Sequence, residues 1–155
     1  MSRKERPHRD IIDDLEKEGR SLEAILLAWS IVEVLSSDAL FKAFLRISKR
    51  KPEWEWISSM YPDTKLKLLR SMGILSADDF AKIYRFKKKR DQLAHTHGIY
   101  YPNYTEKEKA DLVALGRVAA DVMHDMSARM SQSDGIPLTE DSPRQRYGRR
   151  TPNYA

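Results

Sequence analysis

Residues 21–48 constrain the fold more than any other part of the sequence. Ser21 can cap a helix that begins at this point. A helix with apolar side chains on every side needs partners all around it, either in the centre of a bundle or in a second chain. The segment therefore predicts an all-α protein and gives a first reason to expect a homodimer. The apolar residues concerned are Leu22, Ile25, Leu26, Leu27, Ala28, Trp29, Ile31, Val32, Val34 and Leu35.

Helix caps and apolar side chains at three- to four-residue spacing predict the helices on either side of this segment. A short opening helix is expected to stop near Gly19. After residue 48, Thr64 is expected to cap a helix over residues 65–72, and Gly73 to end it.

The C-terminal half contains two further capping signals. Ser76 opens a helix that is expected to run to about Thr96, and Thr105 with Glu108 forms a capping box for a helix that reaches about Met130. Together with the segments before them, these signals predict a compact all-α bundle of about four or five helices.

Two segments lack a helical period. Residues 49–63 predict an aromatic-rich connection with room for one helical turn, and we expect Trp54 and Trp56 to pin it to the core. Residues 131–155 are rich in Pro, Gly and Arg and predict a flexible basic tail that folding does not require. The predicted organisation is an N-terminal arm with a short helix at residues 1–20, a helical domain at 21–130 and the tail at 131–155.

The composition allows a nucleic-acid partner without requiring one. The chain carries a formal net charge of +5 at pH 7, and a basic surface attracts RNA, DNA or other anions. The absence of cysteine excludes disulfides and thiolate metal sites and is typical of the reducing cytosol. The polar N-terminus lacks the apolar stretch of a secretory signal, and we expect no apolar run of membrane-spanning length. These features predict a cytoplasmic protein.

The motif Arg90-Asp91-Gln92-Leu93-Ala94-His95 brings a guanidinium, a carboxylate and an imidazole together near the end of a helix. Because Arg90 shares a stripe with apolar residues, we expect it on the buried face. A buried guanidinium is costly unless it is paired with an acidic group or binds a ligand. Glu33 on the 21–48 helix is the candidate partner, and an Arg90–Glu33 bridge could serve only to fix the register of the two helices. The stripe contains Phe80, Ile83, Phe86, Arg90, Leu93 and His97.

Asp91 and His95 are four residues apart and therefore neighbours on one helix face. There a carboxylate can hold the imidazole in one tautomer and raise its basicity, although an ordinary exposed pair has the same spacing. His95 and His97 lack an identifiable third metal ligand, and the chain has no phosphate-binding glycine loop. We therefore predict neither a metal site nor a cofactor.

A basic run precedes the motif and consists of Lys87, Lys88 and Lys89. These side chains point in three directions from a helix, and such a run is usually a solvated face. Beside a phosphate site it could supply the non-specific electrostatic part of RNA binding.

The motif resembles the Arg-polar-x-x-x-His signature of HEPN domains (higher eukaryotes and prokaryotes nucleotide-binding). The order of segments is similar as well, with a long apolar helix bearing an acidic residue, then residues 65–75, then a helix that ends in the motif. The resemblance spans roughly residues 22–130. It implies a compact helical bundle that forms a homodimer in which the motif helices of the two chains face each other.

Many HEPN proteins are metal-independent endoribonucleases that act as toxins or antiviral effectors. For this chain the resemblance implies that Arg90 holds and neutralises the scissile phosphate of RNA. His95 would transfer protons, and Asp91 would orient the pair, with Glu33 and His97 in support. The product would end in a 2′,3′-cyclic phosphate, and an antitoxin or a nucleotidyltransferase would be the candidate partner.

The chain departs from one toxin subgroup, in which the motif continues as His-x-Tyr and a partner nucleotidyltransferase modifies the tyrosine. His97 stands at that position, and Tyr100, Tyr101 and Tyr104 are out of register. This difference argues against silencing by tyrosine modification.

The Ala94-His95 ending also resembles the mannitol-operon repressor family, whose helical proteins act in regulation. The second hypothesis is therefore a non-catalytic dimeric regulatory or partner-binding module. Exposure distinguishes the two, because catalysis requires Arg90 and His95 to reach an open cleft whereas a structural role places both inside the core.

Overall fold

The structure, a computed structural model, describes residues 7–96, 104–133 and 135–142, with side chains described up to Leu93 in the first range. This part of the chain is helical and contains no strand, which confirms the predicted all-α class. Its six helices are α1 Pro7–Lys17, α2 Ser21–Ser48, α3 Trp54–Ser58, α4 Pro62–Ser71, α5 Ala77–Thr96 and α6 Glu106–Gln132.

The chain forms two compact units. Unit 1 contains residues 1–33 and 81–124, and unit 2 contains residues 34–80 and 125–155. Helices α2, α5 and α6 are long enough to contribute one portion to each unit.

The core of unit 1 forms where α2, α5 and α6 turn apolar stripes inward. Gly116 marks the closest approach, because a Cβ atom at this position would lie 2.9 Å from the Cβ of Ala28 and 3.0 Å from the ring of Phe86. A larger residue at position 116 would force neighbouring groups apart. The buried apolar residues of this unit include Ile12, Ala24, Ile25, Ala28, Trp29, Val32, Ile83, Phe86, Leu93, Leu112, Val113, Ala119, Ala120 and Met123.

A buried polar cluster ties α1 to α6 within unit 1. Arg9 Nη2 donates to Asp121 Oδ2 at 2.7 Å, and His8 Nε2 lies 3.0 Å from Asp121 Oδ1. The ring of His8 also stacks on that of His124, with a centroid separation of 3.8 Å. The predicted short opening helix is therefore present and fixed to the core.

Helix α3 of unit 2 is a five-residue helix within the predicted connection at residues 49–63. Its buried residue is Ile57, which is 0% exposed, whereas Trp54 and Trp56 are 44% and 55% exposed. The indoles pack against α2 rather than inside the core, with centroid distances of 6.0 Å from Trp54 to Phe41 and 5.7 Å from Trp56 to Phe44. The expectation that both tryptophans pin this segment to the core was wrong, because the smaller aliphatic side chain fills that position.

Helix α4 begins at Pro62 rather than after Thr64. Proline suits the first helical turn, where its missing N–H needs no partner. Tyr61 before it is extended, with φ −58° and ψ 140°, as a residue preceding proline favours. At the other end Gly73 terminates the helix as predicted, with φ +78° and its N–H donating to Arg70 O at 3.0 Å.

The segment that follows α6 packs on the junction between α4 and α5. Asp141 Oδ2 accepts a hydrogen bond of 2.7 Å from the N–H of Ala77, in the first turn of α5. Ser142 is 0% exposed and lies so close to Gly73 that a Cβ atom there would collide with it. The predicted flexible tail is therefore wrong for residues 135–142, because their polar groups complete a helix terminus. The remainder of that predicted tail lies outside the described residues.

The caps of α5 and α6 follow the sequence signals. Ser76 Oγ accepts from Asp79 N–H at 3.0 Å. Thr105 and Glu108 form the reciprocal box, with Glu108 N–H donating to Thr105 Oγ1 at 3.1 Å and Thr105 N–H donating to Glu108 Oε2 at 2.8 Å.

Helix α2 is long and apolar enough to cross a membrane by length and composition, contrary to the expectation of no such run. Half of its most apolar stretch is buried inside the protein. The core helix of a soluble protein passes the same test.

Candidate functional site

Arg90 lies on the inward face of α5, as its stripe predicted. Phe86, one turn before it, is 0% exposed, and Leu93 after it is 7% exposed. The Arg90 side chain itself is 26% exposed. The apolar stripe therefore carries the guanidinium to the edge of the core, where solvent still reaches it.

The guanidinium of Arg90 packs on the face of Trp29 from α2, with 4.2 Å between Cζ and the ring centroid. Trp29 is only 6% exposed, and its ring is tilted against Phe86 at a centroid distance of 6.1 Å. This cation–π contact contributes about 0.5–2 kcal/mol. The Arg90 Nε atom is buried and has no hydrogen-bond partner among the described residues. Packing on Trp29 thus positions the guanidinium, but one of its N–H donors has no described hydrogen-bond acceptor.

Asp91 is shared between two cations. Its Oδ1 lies 3.2 Å from Arg90 Nη2, and its Oδ2 accepts a hydrogen bond of 2.7 Å from Lys87 Nζ. Lys87 also lies over the ring of Tyr84, with Nζ 5.7 Å from the centroid. Lys87 was predicted to attract RNA, but these intramolecular contacts engage its ammonium group. Its role is therefore better described as holding Asp91 in place.

Glu33 is half-buried on α2, one turn beyond Trp29. An Arg90–Glu33 ion pair is not found among the described residues, where Arg90 contacts Asp91 and Trp29 instead. The sequence contained the signal for this outcome, because Trp29 precedes Glu33 by four residues and so lies on the same helix stripe. Helical period alone does not decide between Trp29 and Glu33 as the neighbour of Arg90.

The imidazoles of the motif lie outside the described residues. The backbone of α5 extends to Thr96 and includes His95, but the His95 side chain and all of His97 are not described. Proton transfer by His95, its orientation by Asp91 and support from His97 remain predictions. Among the described residues, no group of three His, Asp or Glu side chains is arranged to hold a metal ion.

A cleft of about 290 Å³ adjoins the motif within unit 1. Lys89 lines it and is exposed, as is its neighbour Lys88. Neither lysine has an ion-pair partner in the described ranges, so both remain candidates for attracting an anion. The cleft is lined by Lys89, Gln92, Tyr104, Glu108, Asp111, Leu112 and Leu115.

No family model, no curated protein and no solved structure matches this chain. The resemblance to HEPN domains therefore rests on the motif itself and on the order of the helices that carry it.

Proposed function

We propose that this chain is a HEPN-like, metal-independent endoribonuclease that acts as a homodimer in the cytoplasm, as a toxin or defence effector. In this proposal Arg90 binds the scissile phosphate and His95 transfers protons. Asp91 and Trp29 fix the guanidinium so that it meets the phosphate in one orientation. An antitoxin is the expected regulatory partner.

The observation that carries the proposal is the incomplete set of partners around Arg90. Most buried donors in proteins are satisfied, because an unpaired buried donor costs about 1–3 kcal/mol, and among the described arginines only Arg9 Nε, Arg90 Nε and Arg129 Nη2 are buried without a partner. Arg90 has a buried Nε without a described partner, one ion pair with its neighbour Asp91, and a quarter of its side chain open to solvent. Its planar fork suits bidentate contact with a phosphate. An anionic ligand would complete this arrangement.

The chemistry needs no metal. The 2′-hydroxyl attacks the adjacent phosphorus, the 5′-oxygen leaves, and a 2′,3′-cyclic phosphate and a 5′-hydroxyl remain. A base must remove the 2′ proton, and an acid must supply a proton to the leaving oxygen, which the His95 imidazoles of two facing protomers can do. Arg90 stabilises the negative charge that accumulates on the phosphoryl oxygens in the transition state.

The direct experiment is cleavage of a broad RNA panel in the presence of EDTA, with the product ends mapped. We expect wild-type protein to leave 2′,3′-cyclic phosphates and His95→Ala to be inactive although folded by circular dichroism. His124→Gln is a suitable histidine control, because His124 lies in the α1–α6 cluster rather than in the motif. Cleavage by His95→Ala at the wild-type rate, or an inactive wild type across the panel, would refute the proposal.

A partner-binding module is the second candidate, and the exposed face of α2 favours it. Leu22 and Leu26 are one turn apart and are 40% and 53% exposed. Two large aliphatic side chains at this spacing suit a helix–helix contact with a second chain. This face could equally form the homodimer, so Leu26→Glu separates the candidates: loss of both dimer and cleavage supports the nuclease, and loss of dimer in a protein that never cleaves RNA supports the module.

A further inference from the structure

Unit 2 carries a surface that the proposed function leaves unexplained, formed by Lys49, Arg50, Lys51, Trp54 and Trp56 and called here the basic–aromatic surface. The three cations are consecutive and exposed, and none has an ion-pair partner in the described part of the chain. They follow the end of α2, and the two tryptophans belong to α3. Three positive charges without an ion-pair partner beside two half-exposed indoles suit a partner that is both anionic and able to stack.

The indoles are exposed but fixed. Trp54 meets Phe41 edge-on with an interplanar angle of 66°, and Trp56 is tilted by 42° against Phe44. Ile57 anchors the short helix by complete burial. Each indole therefore rests on a phenyl ring and presents its remaining surface to solvent. Aromatic rings held in this way lose little conformational freedom on binding and can serve as stacking platforms for nucleic-acid bases.

The cations occupy positions that helix stability alone does not explain. Lys49 has φ +56°, a left-handed conformation that favours glycine over lysine at a helix end. Ser48 Oγ fixes the following turn by accepting from Arg50 N–H at 3.3 Å. The negative end of the helix dipole attracts cations, but this effect is confined to the last turn, and Lys51 lies beyond it.

We propose that the basic–aromatic surface binds single-stranded RNA, with bases stacked on Trp54 and Trp56 and backbone phosphates held by residues 49–51. Lys51 and Trp54 are three residues apart, so their Cα atoms are at most about 11 Å apart, and one strand can contact both groups. The inference rests on the proposed function, because it identifies a further surface with which the nuclease binds its substrate.

Two exposed carboxylates favour RNA over an anionic membrane. Glu53 and Glu55 alternate with the tryptophans along the segment. Insertion of the indoles into lipid would carry the Glu55 carboxylate toward an apolar phase, where an unpaired charge is costly, whereas stacking of bases on the indoles leaves the carboxylate in water. In an RNA complex, Glu55 can accept hydrogen bonds from base amino groups, while Glu53 and Glu55 repel phosphates and so direct the backbone toward residues 49–51.

Binding is measured by fluorescence anisotropy of a labelled single-stranded oligonucleotide in EDTA, with the His95→Ala protein so that cleavage does not interfere. The double variant Trp54→Ala/Trp56→Ala should raise Kd at least about tenfold. Trp54→Phe/Trp56→Phe, which keeps a ring at each position, should retain most of the affinity. Thermal melting of each variant establishes that α3 has folded, and the Phe pair keeps the test decisive if the Ala pair unfolds.

The cations are tested by the salt dependence of the same binding reaction. Replacing residues 49–51 by glutamine should reduce the slope of log K against log salt by about 2, because each phosphate contact on a single strand contributes about 0.7. Lys67→Gln is the matched control, because Lys67 is an exposed lysine of the same unit that already pairs with Asp63. Its slope should equal that of the parent.

Wild-type affinity in both the alanine and the glutamine variants would overturn the proposal. So would loss of binding to phosphatidylserine vesicles in those variants with RNA affinity unchanged, which would assign the surface to lipid. Failure of the nuclease proposal is separate: RNA that binds through this surface but is never cleaved by the wild-type protein leaves the binding inference intact.

Discussion

Arg70 and Arg90 are two half-buried arginines with opposite surroundings. Their side chains are 22% and 26% exposed, respectively. Arg70 in unit 2 donates to Leu75 O at 3.2 Å and contacts both the carboxylate and the backbone oxygen of Asp141. Arg90 in unit 1 has a single ion pair with its chain neighbour and a buried Nε without a described partner. The two side chains are therefore similarly exposed but differ in how many of their donors have hydrogen-bond or ion-pair partners.

Arg70 therefore has a structural role, with hydrogen bonds to two other segments, whereas Arg90 is held in position but keeps a donor without a described partner. Arg70 joins distant parts of the sequence, because Asp141 is 71 residues away. Arg90 is oriented by the face of Trp29, and about a quarter of its side chain is exposed to solvent although its Nε is buried. Satisfaction of donors, rather than burial, is the property that separates Arg90 from Arg70; Arg9 Nε and Arg129 Nη2 share the unpaired state of Arg90 Nε.

The largest expected effect is on catalysis. Arg90→Ala should reduce RNA cleavage at least about 10²-fold, the usual loss when one positioned donor to a developing negative charge is removed. Arg85→Ala is the matched control, because Arg85 is an exposed arginine on the same helix. Single-turnover cleavage in EDTA measures both, and equal losses in the two variants would contradict a specific role for Arg90.

Stability should show the reverse order. Arg70→Ala removes hydrogen bonds between charged groups and should cost about 2 kcal/mol, or roughly 4–8 °C in Tm. Arg90→Ala should cost only about 1 kcal/mol, because Asp91 keeps Lys87 as a partner. Thermal melting followed by circular dichroism compares the two. A larger loss in Arg90→Ala would show that Arg90 is the structural member of the pair.

The segment after α6 provides a related test in unit 2. Truncation after Ser133 removes Asp141 and the buried Ser142 and should lower Tm by several degrees, whereas truncation after Ser142 should retain these contacts. The two truncated proteins differ only in residues 134–142. Equal melting temperatures would mean that this segment contributes nothing to stability.

Trp29 should affect affinity more than turnover. Trp29→Leu preserves an apolar residue in the core but removes the aromatic face under Arg90, which is worth about 0.5–2 kcal/mol. We expect KM for RNA to rise several-fold with a smaller change in kcat, because the guanidinium loses its fixed orientation. An unchanged KM in a folded variant would show that the contact is incidental.

The smallest effect is on the pH dependence of stability. The Ala77 N–H lowers the pKa of Asp141 from its ordinary value, and the Thr139 hydroxyl and Arg70 charge act in the same direction. A depressed pKa stabilises the folded state above the unfolded value, and this contribution is lost as pH falls through the folded pKa. Asp141→Asn should therefore make Tm decline less steeply below about pH 4. The comparison variant is Asp91→Asn in unit 1, and thermal melting at a series of pH values measures both.

Local signals in the sequence were sufficient to predict the helical class and most helix ends. The Ser76 and Thr105 caps and the Gly73 stop depend on backbone groups within a few residues, so they can be identified without tertiary structure. The inward position of Arg90 followed from helical period alone. These predictions hold because local geometry determines them.

Long-range partners could not be obtained in the same way. The choice between Trp29 and Glu33 as the neighbour of Arg90 depends on the rotation of two helices about their axes. The role of Asp141 depends on a contact across 64 residues with Ala77, and its Pro- and Gly-rich surroundings gave only a signal for a flexible tail. The composition of a segment indicates its flexibility, but its tertiary contacts depend on the path of the chain in the folded protein.

The most direct test follows the Nε–H resonances of both arginines by NMR in ¹⁵N-labelled protein. The ligand is a short RNA with a 2′-O-methyl group at every position, which can bind but cannot be cleaved because it has no free 2′-hydroxyl. Signals are assigned from Arg90→Lys and Arg70→Lys. We expect the Arg90 resonance to shift on titration while the Arg70 resonance stays in place. An unchanged Arg90 resonance at saturating ligand would contradict the claim that Arg90 is open to bind phosphate.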